Sequence, residues 1–304
     1  MLDYEKVFNT MVTQTKQYLE DNNLFAMILG ISGGLDSTVT AAICHEVENL
    51  NPDIKFIGIN LPCTSNKQDE NDSAEMCMKA FCKENHYYTE NLQKEYMLMK
   101  ATCAQRHIMT TIGAGNIKAR LRMITLYNEA NYFSGCVMDT DNLTEHYLGF
   151  FTIHGDVGDY NPIGGLWKHE VYGLAKWIRE YYHKKFMDPI GPKVDVETIT
   201  KYSKMVDALD AAIGITPTDG NGVKAGGDMA QIAPAFVDDV NVDAYKKVDK
   251  IIKTYLEQRY LPGAIENLYE EFGQETVDGV INRIKRTQFK RDKLPVVIDR
   301  ALYV

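Results

Sequence analysis

The chain predicts an α/β fold, a doubly wound and mostly parallel sheet with helices on both faces. Two observations carry this reading. Short apolar runs alternate with amphipathic helical stretches through residues 1–182, so strands and crossover helices follow one another as βαβ units. The apolar run Phe25–Ile31, of the kind a strand covered on both faces requires, ends in a glycine turn that opens a helix, Ser32-Gly33-Gly34-Leu35-Asp36-Ser37-Thr38.

The elements follow in order. Val7, Met11, Thr15 and Tyr18 form one stripe, so Asp3–Leu19 is predicted helical. A strand over 25–31, a helix over 36–48 and a strand over Lys55–Leu61 come next, then a helix over 69–84 and a short strand near Tyr87–Thr89. A helix over Glu95–Arg106 is followed by Gly113-Ala114-Gly115, which is expected to break the pattern before a helix over 116–131. Strand Gly135–Met138, a loop over 139–166 and a helix over 167–182 close the regular part. Ligands in such sheets bind beyond the carboxyl ends of the strands, so the loops after Ile31, Leu61 and Met138 should converge. Residues 186–242 are punctuated by proline and glycine around a helical piece at Glu197–Asp210, and predict an irregular, lid-like segment. Helices over 243–257 and 275–287 end the chain, which is expected to form one domain over 1–304.

Composition narrows the function. At 304 residues, 45% hydrophobic and 25% charged, the chain has an ordinary globular make-up. Its net charge of −9 speaks against nonspecific nucleic-acid binding, which draws on a basic surface. The six cysteines, Cys44, Cys63, Cys77, Cys82, Cys103 and Cys136, show no C-x-x-C pair, which predicts reduced thiols rather than a zinc site or disulfide framework. The charged N-terminal segment lacks the apolar core of a signal peptide, and no run approaches the ~20 apolar residues of a membrane helix. A cytoplasmic protein is the expectation.

The glycine turn carries chemistry. Strand, glycine loop and helix together place backbone N–H groups and a helix N-terminus where a phosphate can sit. A bare helix entry capped by Ser32 or Asp36 would account for the two glycines alone. The turn lacks the lysine of a Walker A loop and carries Asp36 instead. A carboxylate facing polyphosphate is repulsive unless a cation lies between them, which points to Mg²⁺. Downstream, Gly115-Asn116-Ile117-Lys118-Ala119-Arg120-Leu121-Arg122-Met123 concentrates positive charge on a helix, although a solvated basic face would look the same. After the strand at 135–138, Met138–Asp156 gathers carboxylates and aromatics, and Glu145 is the natural second carboxylate for the metal that Asp36 implies.

The heptad resembles the pyrophosphate loop (S-G-G-x-D-S) of the ATP pyrophosphatase superfamily, whose members adenylate an oxygen and release pyrophosphate. Three further segments make the resemblance specific. G-N-I-K-A-R-x-R-M, then T-x-x-x-x-E-x-x-x-G-F-F-T-x-x-G-D from Thr140, then P-x-x-x-L-x-K ending at Lys168 look like NAD synthetase, a family that amidates deamido-NAD. The likeness covers about 25–182 and returns in Phe289-Lys290-Arg291 and, more briefly, in Pro217-Thr218-Asp219. The resemblance implies that Ile31, Ser32, Gly33, Gly34, Asp36, Ser37, Thr140, Lys168 and Thr218 bind ATP. It implies that Asp36 and Glu145 hold Mg²⁺, and that Asn116, Arg120, Phe150, Asp156, Asp159, Lys290 and Arg291 bind deamido-NAD. Asp36, Lys168 and Asp156 are the implied catalytic residues, and a homodimer is the implied assembly.

The chain departs from the family pattern at Ile153, which stands for a lysine, and at Asp139, which stands for a glycine. Asp156-Val157-Gly158-Asp159 is also a shortened form of the usual acidic segment. Because the loop strand begins by residue 25, ammonia rather than an attached glutaminase domain is the expected nitrogen source. The loop by itself also fits another adenylating amidotransferase or a nucleotide-binding sensor.

Overall fold

In a computed structural model, residues 2–63, 68–106, 108–187, 196–215, 232 and 242–292 are described. The N-terminal helix α1 (Tyr4–Asp21) leads into β1 (Ala26–Gly30), α2 (Leu35–Leu50), β2 (Lys55–Asn60), α3 (Gln68–Phe81) and β3 (Tyr87–Thr89). Helices α4 (Gln93–Ala104) and α5 (Thr111–Phe133) precede β4 (Cys136–Val137), α6 (Leu143–Leu148) and α7 (Lys168–Met187). Helices α8 (Val196–Gly214), α9 (Val242–Gln258), α10 (Ala264–Phe272), α11 (Gln274–Arg286) and α12 (Gln288–Arg291) complete the described chain.

The sheet is parallel, in the order β3-β2-β1-β4. Ile28 of β1 lies opposite Ile57 on one side and Val137 on the other. The chain therefore winds outward from β1 to β3 and returns to place β4 on the other edge of β1. That reversal opens a crevice at the carboxyl ends of β1 and β4, where ligands bind in open α/β sheets.

Side chains alternate across the strands and sort the core into two layers. Ala26, Ile28, Ile57 and Ile59 face α5, where Leu121, Leu126, Tyr127 and Ala130 cover them. Met27, Leu29 and Phe56 face the opposite way, onto α1, α2 and α7 through Phe8, Val12, Val39, Ile43, Leu174 and Ile178. The same apolar cluster continues into Leu209, Val248, Ile252 and Val277, so α8, α9 and α11 pack on this layer.

Most predicted elements form within a few residues of their expected ends. The glycine break does not. Gly113 and Gly115 lie inside α5, because the side chain of Thr110 caps the helix by accepting the Gly113 N–H at 3.0 Å. A glycine costs about 1 kcal/mol relative to alanine in a helix, too little to stop one that is capped and packed. The loop expected over 139–166 contains α6, and α10 was not anticipated. The lid-like segment at 186–242 includes helix α8, longer than the expected helical piece; most of the rest, Thr218 included, lies outside the described residues. All six cysteines are free, and all but Cys103 are buried. Among the described residues no helix is long and apolar enough to cross a membrane.

Candidate active site

A cleft of about 330 Å³ opens at the β1/β4 switch point. Its floor is the pyrophosphate-type loop. Gly33 has φ +77, and a Cβ there would come within 2.5 Å of the Ala74 backbone nitrogen, so only glycine lets α3 pack this closely. Gly34 caps α2 with no side-chain hydrogen bond, which leaves N-terminal N–H groups of that helix for an anion. The Ser32 hydroxyl accepts the Gly34 N–H at 3.2 Å and meets Ser37 Oγ at 3.1 Å. Ser37 itself is buried and donates to the Gly34 carbonyl at 3.1 Å, so it shapes the loop from behind.

Ile31, Ser32, Gly34, Asp36, Thr140, Glu145, Asp156 and Lys168 all line the cleft. Three of them converge on one point. The Lys168 ammonium, 3% exposed as a residue, donates to Asp36 Oδ2 and, at 3.1 Å, to Glu145 Oε1. It also stands 5.7 Å from the Tyr245 ring centroid. Burial works to lower the pKa of this lysine, but the Asp36 and Glu145 charges outweigh it and hold the pKa well above the usual range. Burial, partly relieved by Lys168 and reinforced by Asp36, pushes the Glu145 carboxyl up to about 7.

The placement of Glu145 is built from local sequence. Asn142 starts α6 with a capping box: its side chain accepts the Glu145 N–H at 3.1 Å, and Glu145 Oε2 accepts the Asn142 N–H at 3.2 Å. The Asn142 amide also donates to Asp36 Oδ1 at 3.0 Å, joining the two carboxylates' supports. Asn142 and Tyr245 thus belong to the site although sequence reasoning passed over them. For Asn142 a signal existed, the N-x-x-E spacing ahead of Gly149.

Asp36 and Glu145 share one ammonium, so both reach one cation, and their hard oxygen donors suit Mg²⁺. Among the described residues no cluster of three or more histidine, cysteine or carboxylate groups could cage a metal by itself.

The residues implied for the second substrate divide differently. Asp156 lines the cleft and accepts the Thr152 N–H at 2.6 Å. Asn116 accepts from the Thr152 hydroxyl at 3.0 Å, and Arg120 donates to the Ile153 carbonyl at 3.1 Å; both brace the 152–156 loop from α5 rather than line the cleft. The α5 cation in the cleft is Arg122, whose Nε donates to the Leu61 carbonyl at 3.0 Å. Asp159 accepts from Tyr127 Oη at 2.8 Å and from the Val137 N–H at 2.9 Å, which ties α5 to β4. Phe150 lies under the Arg283 guanidinium at 4.3 Å, packed against the main core. Lys290 donates to the Gly149 and Phe151 carbonyls, and Arg291 to the Tyr147 carbonyl at 2.6 Å. The departure at Asp139 is also structural: its buried carboxylate accepts the Asp141 N–H at 2.7 Å and the Gly158 N–H at 3.1 Å, joining two loops.

A parallel sheet with a glycine loop at its switch point, two carboxylates and a buried lysine beyond it, defines an α/β nucleotide-binding protein of the pyrophosphate-loop kind. The NAD synthase family profile matches residues 7–187, more than half of the chain, and the chain belongs to that family. It is 35% identical over 185 residues to an NH(3)-dependent NAD(+) synthetase of Methanocaldococcus jannaschii, a match spanning 57% of this chain and 66% of that protein. A Campylobacter jejuni NH(3)-dependent NAD(+) synthetase is 28% identical over 232 residues, 74% of this chain and 84% of the relative. Among solved structures, an NMN synthetase from Francisella tularensis superposes with TM-score 0.73 at 20% identity, covering 98% of this chain and all of that one. An NH3-dependent NAD synthetase from Campylobacter jejuni gives 0.65 at 22% identity with the same coverage. These two likenesses establish the fold.

Proposed function

We propose that the chain is an ammonia-using NAD synthetase, converting deamido-NAD to NAD at the expense of ATP. The observation that carries this reading is the convergence of Asp36, Glu145 and Lys168 beyond the glycine loop of a family member. A nicotinate carboxylate is a poor electrophile because its leaving group would be oxide. Attack of a carboxylate oxygen on the α-phosphorus of ATP expels pyrophosphate and gives an acyl adenylate. Ammonia then adds to the acyl carbon, and AMP departs with the carboxylate oxygen while a proton is released.

Two anions must meet in the first step, so the work of the chain is electrostatic. The loop N–H groups at the start of α2 receive phosphate oxygens. Lys168, kept protonated by its two carboxylates, offers a fixed positive charge beside them. Asp36 and Glu145 would hold Mg²⁺, which when bound neutralises phosphate charge. Ile59, Leu61, Met123, Leu126 and Val137 give the cleft apolar lining suited to a planar base, and Arg122 and Asp156 line the same cleft. Assembly as a homodimer, with deamido-NAD reaching Asn116, Arg120, Phe150, Asp159, Lys290 and Arg291, is part of the same proposal. So is Thr218 as an ATP contact.

The test is product analysis with deamido-NAD, ATP, Mg²⁺ and ammonium, in parallel with the deamidated mononucleotide. The mononucleotide arm is included because the Francisella tularensis protein of the same fold is named for NMN. NAD and pyrophosphate in equal amounts are expected. NMN from the mononucleotide with no NAD from the dinucleotide would overturn the substrate while keeping the chemistry. No pyrophosphate from either would overturn the reaction.

A further inference from the structure

Asp249 of α9 is 2% exposed, on a helix face otherwise made of Tyr245, Val248 and Ile252. A lone buried carboxylate on an apolar stripe is costly unless donors surround it. Here they do. Oδ2 accepts the His169 backbone N–H at 3.2 Å and His169 Nδ1 at 2.7 Å, and Oδ1 accepts from the Thr144 hydroxyl. The Thr144 oxygen in turn accepts the backbone N–H of Lys168 at 2.8 Å.

Lys168 and His169 are the first residues of α7, where backbone N–H groups have no intrahelical acceptor and need a cap. Thr144 of α6 caps the Lys168 N–H, and the cap for the His169 N–H comes from 80 residues further along the chain, on a different helix. Thr144 is 1% exposed and adjoins Glu145 in α6. One carboxylate therefore grips the start of the helix that carries Lys168 and the turn that carries Glu145. We infer that Asp249 is a positioning residue for the amidation site, holding Lys168 and Glu145 at a fixed separation through Thr144 and His169. The inference rests on the proposed reading of the cleft. Its reach is through other residues, for Asp249 itself does not line the cleft.

The experiment compares the full chain with Asp249→Asn, Thr144→Val and the double variant; Asp243→Asn, an exposed position on the same helix, serves as control. Three quantities are read: kcat and KM for ATP from pyrophosphate release, Mn²⁺ affinity by calorimetry with a non-hydrolysable ATP analogue present, and the thermal midpoint. Loss of a group that orients metal-binding and catalytic side chains typically costs about 10–100-fold, so each single variant should lose that much in kcat or in Mn²⁺ affinity. KM for ATP should stay within about threefold, since the loop contacts persist. The double variant should lose no more than the worse single one, because both act through one chain of bonds. A folded Asp249→Asn protein with kcat and Mn²⁺ affinity within about twofold of the parent, or losses that multiply, would overturn the inference. If Asp249→Asn does not fold, Thr144→Val decides alone. If the parent releases no pyrophosphate, the functional reading fails, and the Mn²⁺ titration still decides the role of Asp249.

Discussion

Lys168 is a buried ammonium whose charge is held by Asp36 and Glu145. Replacing it by methionine keeps the bulk and removes the cation, leaving Asp36 and Glu145 facing each other. Steady-state pyrophosphate release should fall by about 10²-fold or more in Lys168→Met, the range seen when one charge-stabilising donor is lost. Activity within about threefold of the parent would remove Lys168 from the mechanism. His45 gives a pH prediction at the same scale. Burial, with smaller effects from Lys201 and other cations, lowers its pKa from 6.5 to about 3. The unfolded chain thus takes up this proton as pH falls below 6.5 while the folded chain does not, so this contribution to stability is lost between pH 6.5 and about 3. Denaturant unfolding of His45→Gln across that window should show a shallower pH slope than the parent; an equal slope would contradict the assignment. The glycine-loop residues that line the cleft, Ser32, Gly34 and Asp36, were legible in the sequence because their spacing is set by a backbone loop. Arg122 was passed over in favour of Arg120, because a two-residue difference on a helix turns a side chain to another face, and only packing says which face meets the cleft.

At the scale of elements, the loop, α3 and the short terminal helices bear on one another. Gly33→Ala puts a Cβ against the Ala74 backbone at positive φ, and should lower unfolding stability by about 1–3 kcal/mol and weaken ATP binding measured by calorimetry. An unchanged melting midpoint would show that α3 yields. Lys290 in α12 clips the 149–151 turn through two carbonyls. Lys290→Gln should cost about 1–2 kcal/mol of stability in denaturant unfolding while leaving ATP affinity unchanged. The long apolar or amphipathic elements, β1, β2, α2 and α7, were readable because periodicity is strong over their lengths. The start of α5 was not, because a cap at Thr110 outweighs two glycines, and α6 is too short for a period and declares itself only through its Asn142 capping box.

For the whole molecule, strand order decides where chemistry can occur. The alternation of strands and helices in the sequence predicts a parallel sheet, and the loops after β1, β2 and β4 do meet in one cleft, as expected. The sequence alone could not place the C-terminal helices, since an amphipathic helix shows which face is buried and not against what. The structure seats α9 beside α7 on the shared core, and that brings Tyr245 and Asp249 to the site. Adenylation of a carboxylate in this cleft is the central step of the proposed reaction. The most direct measurement uses deamido-NAD labelled with ¹⁸O in the nicotinate carboxylate, with mass analysis of the phosphorus-containing products after turnover with ammonium. One ¹⁸O in AMP and none in pyrophosphate is the expected result. Label in inorganic phosphate, or AMP without label, would contradict it.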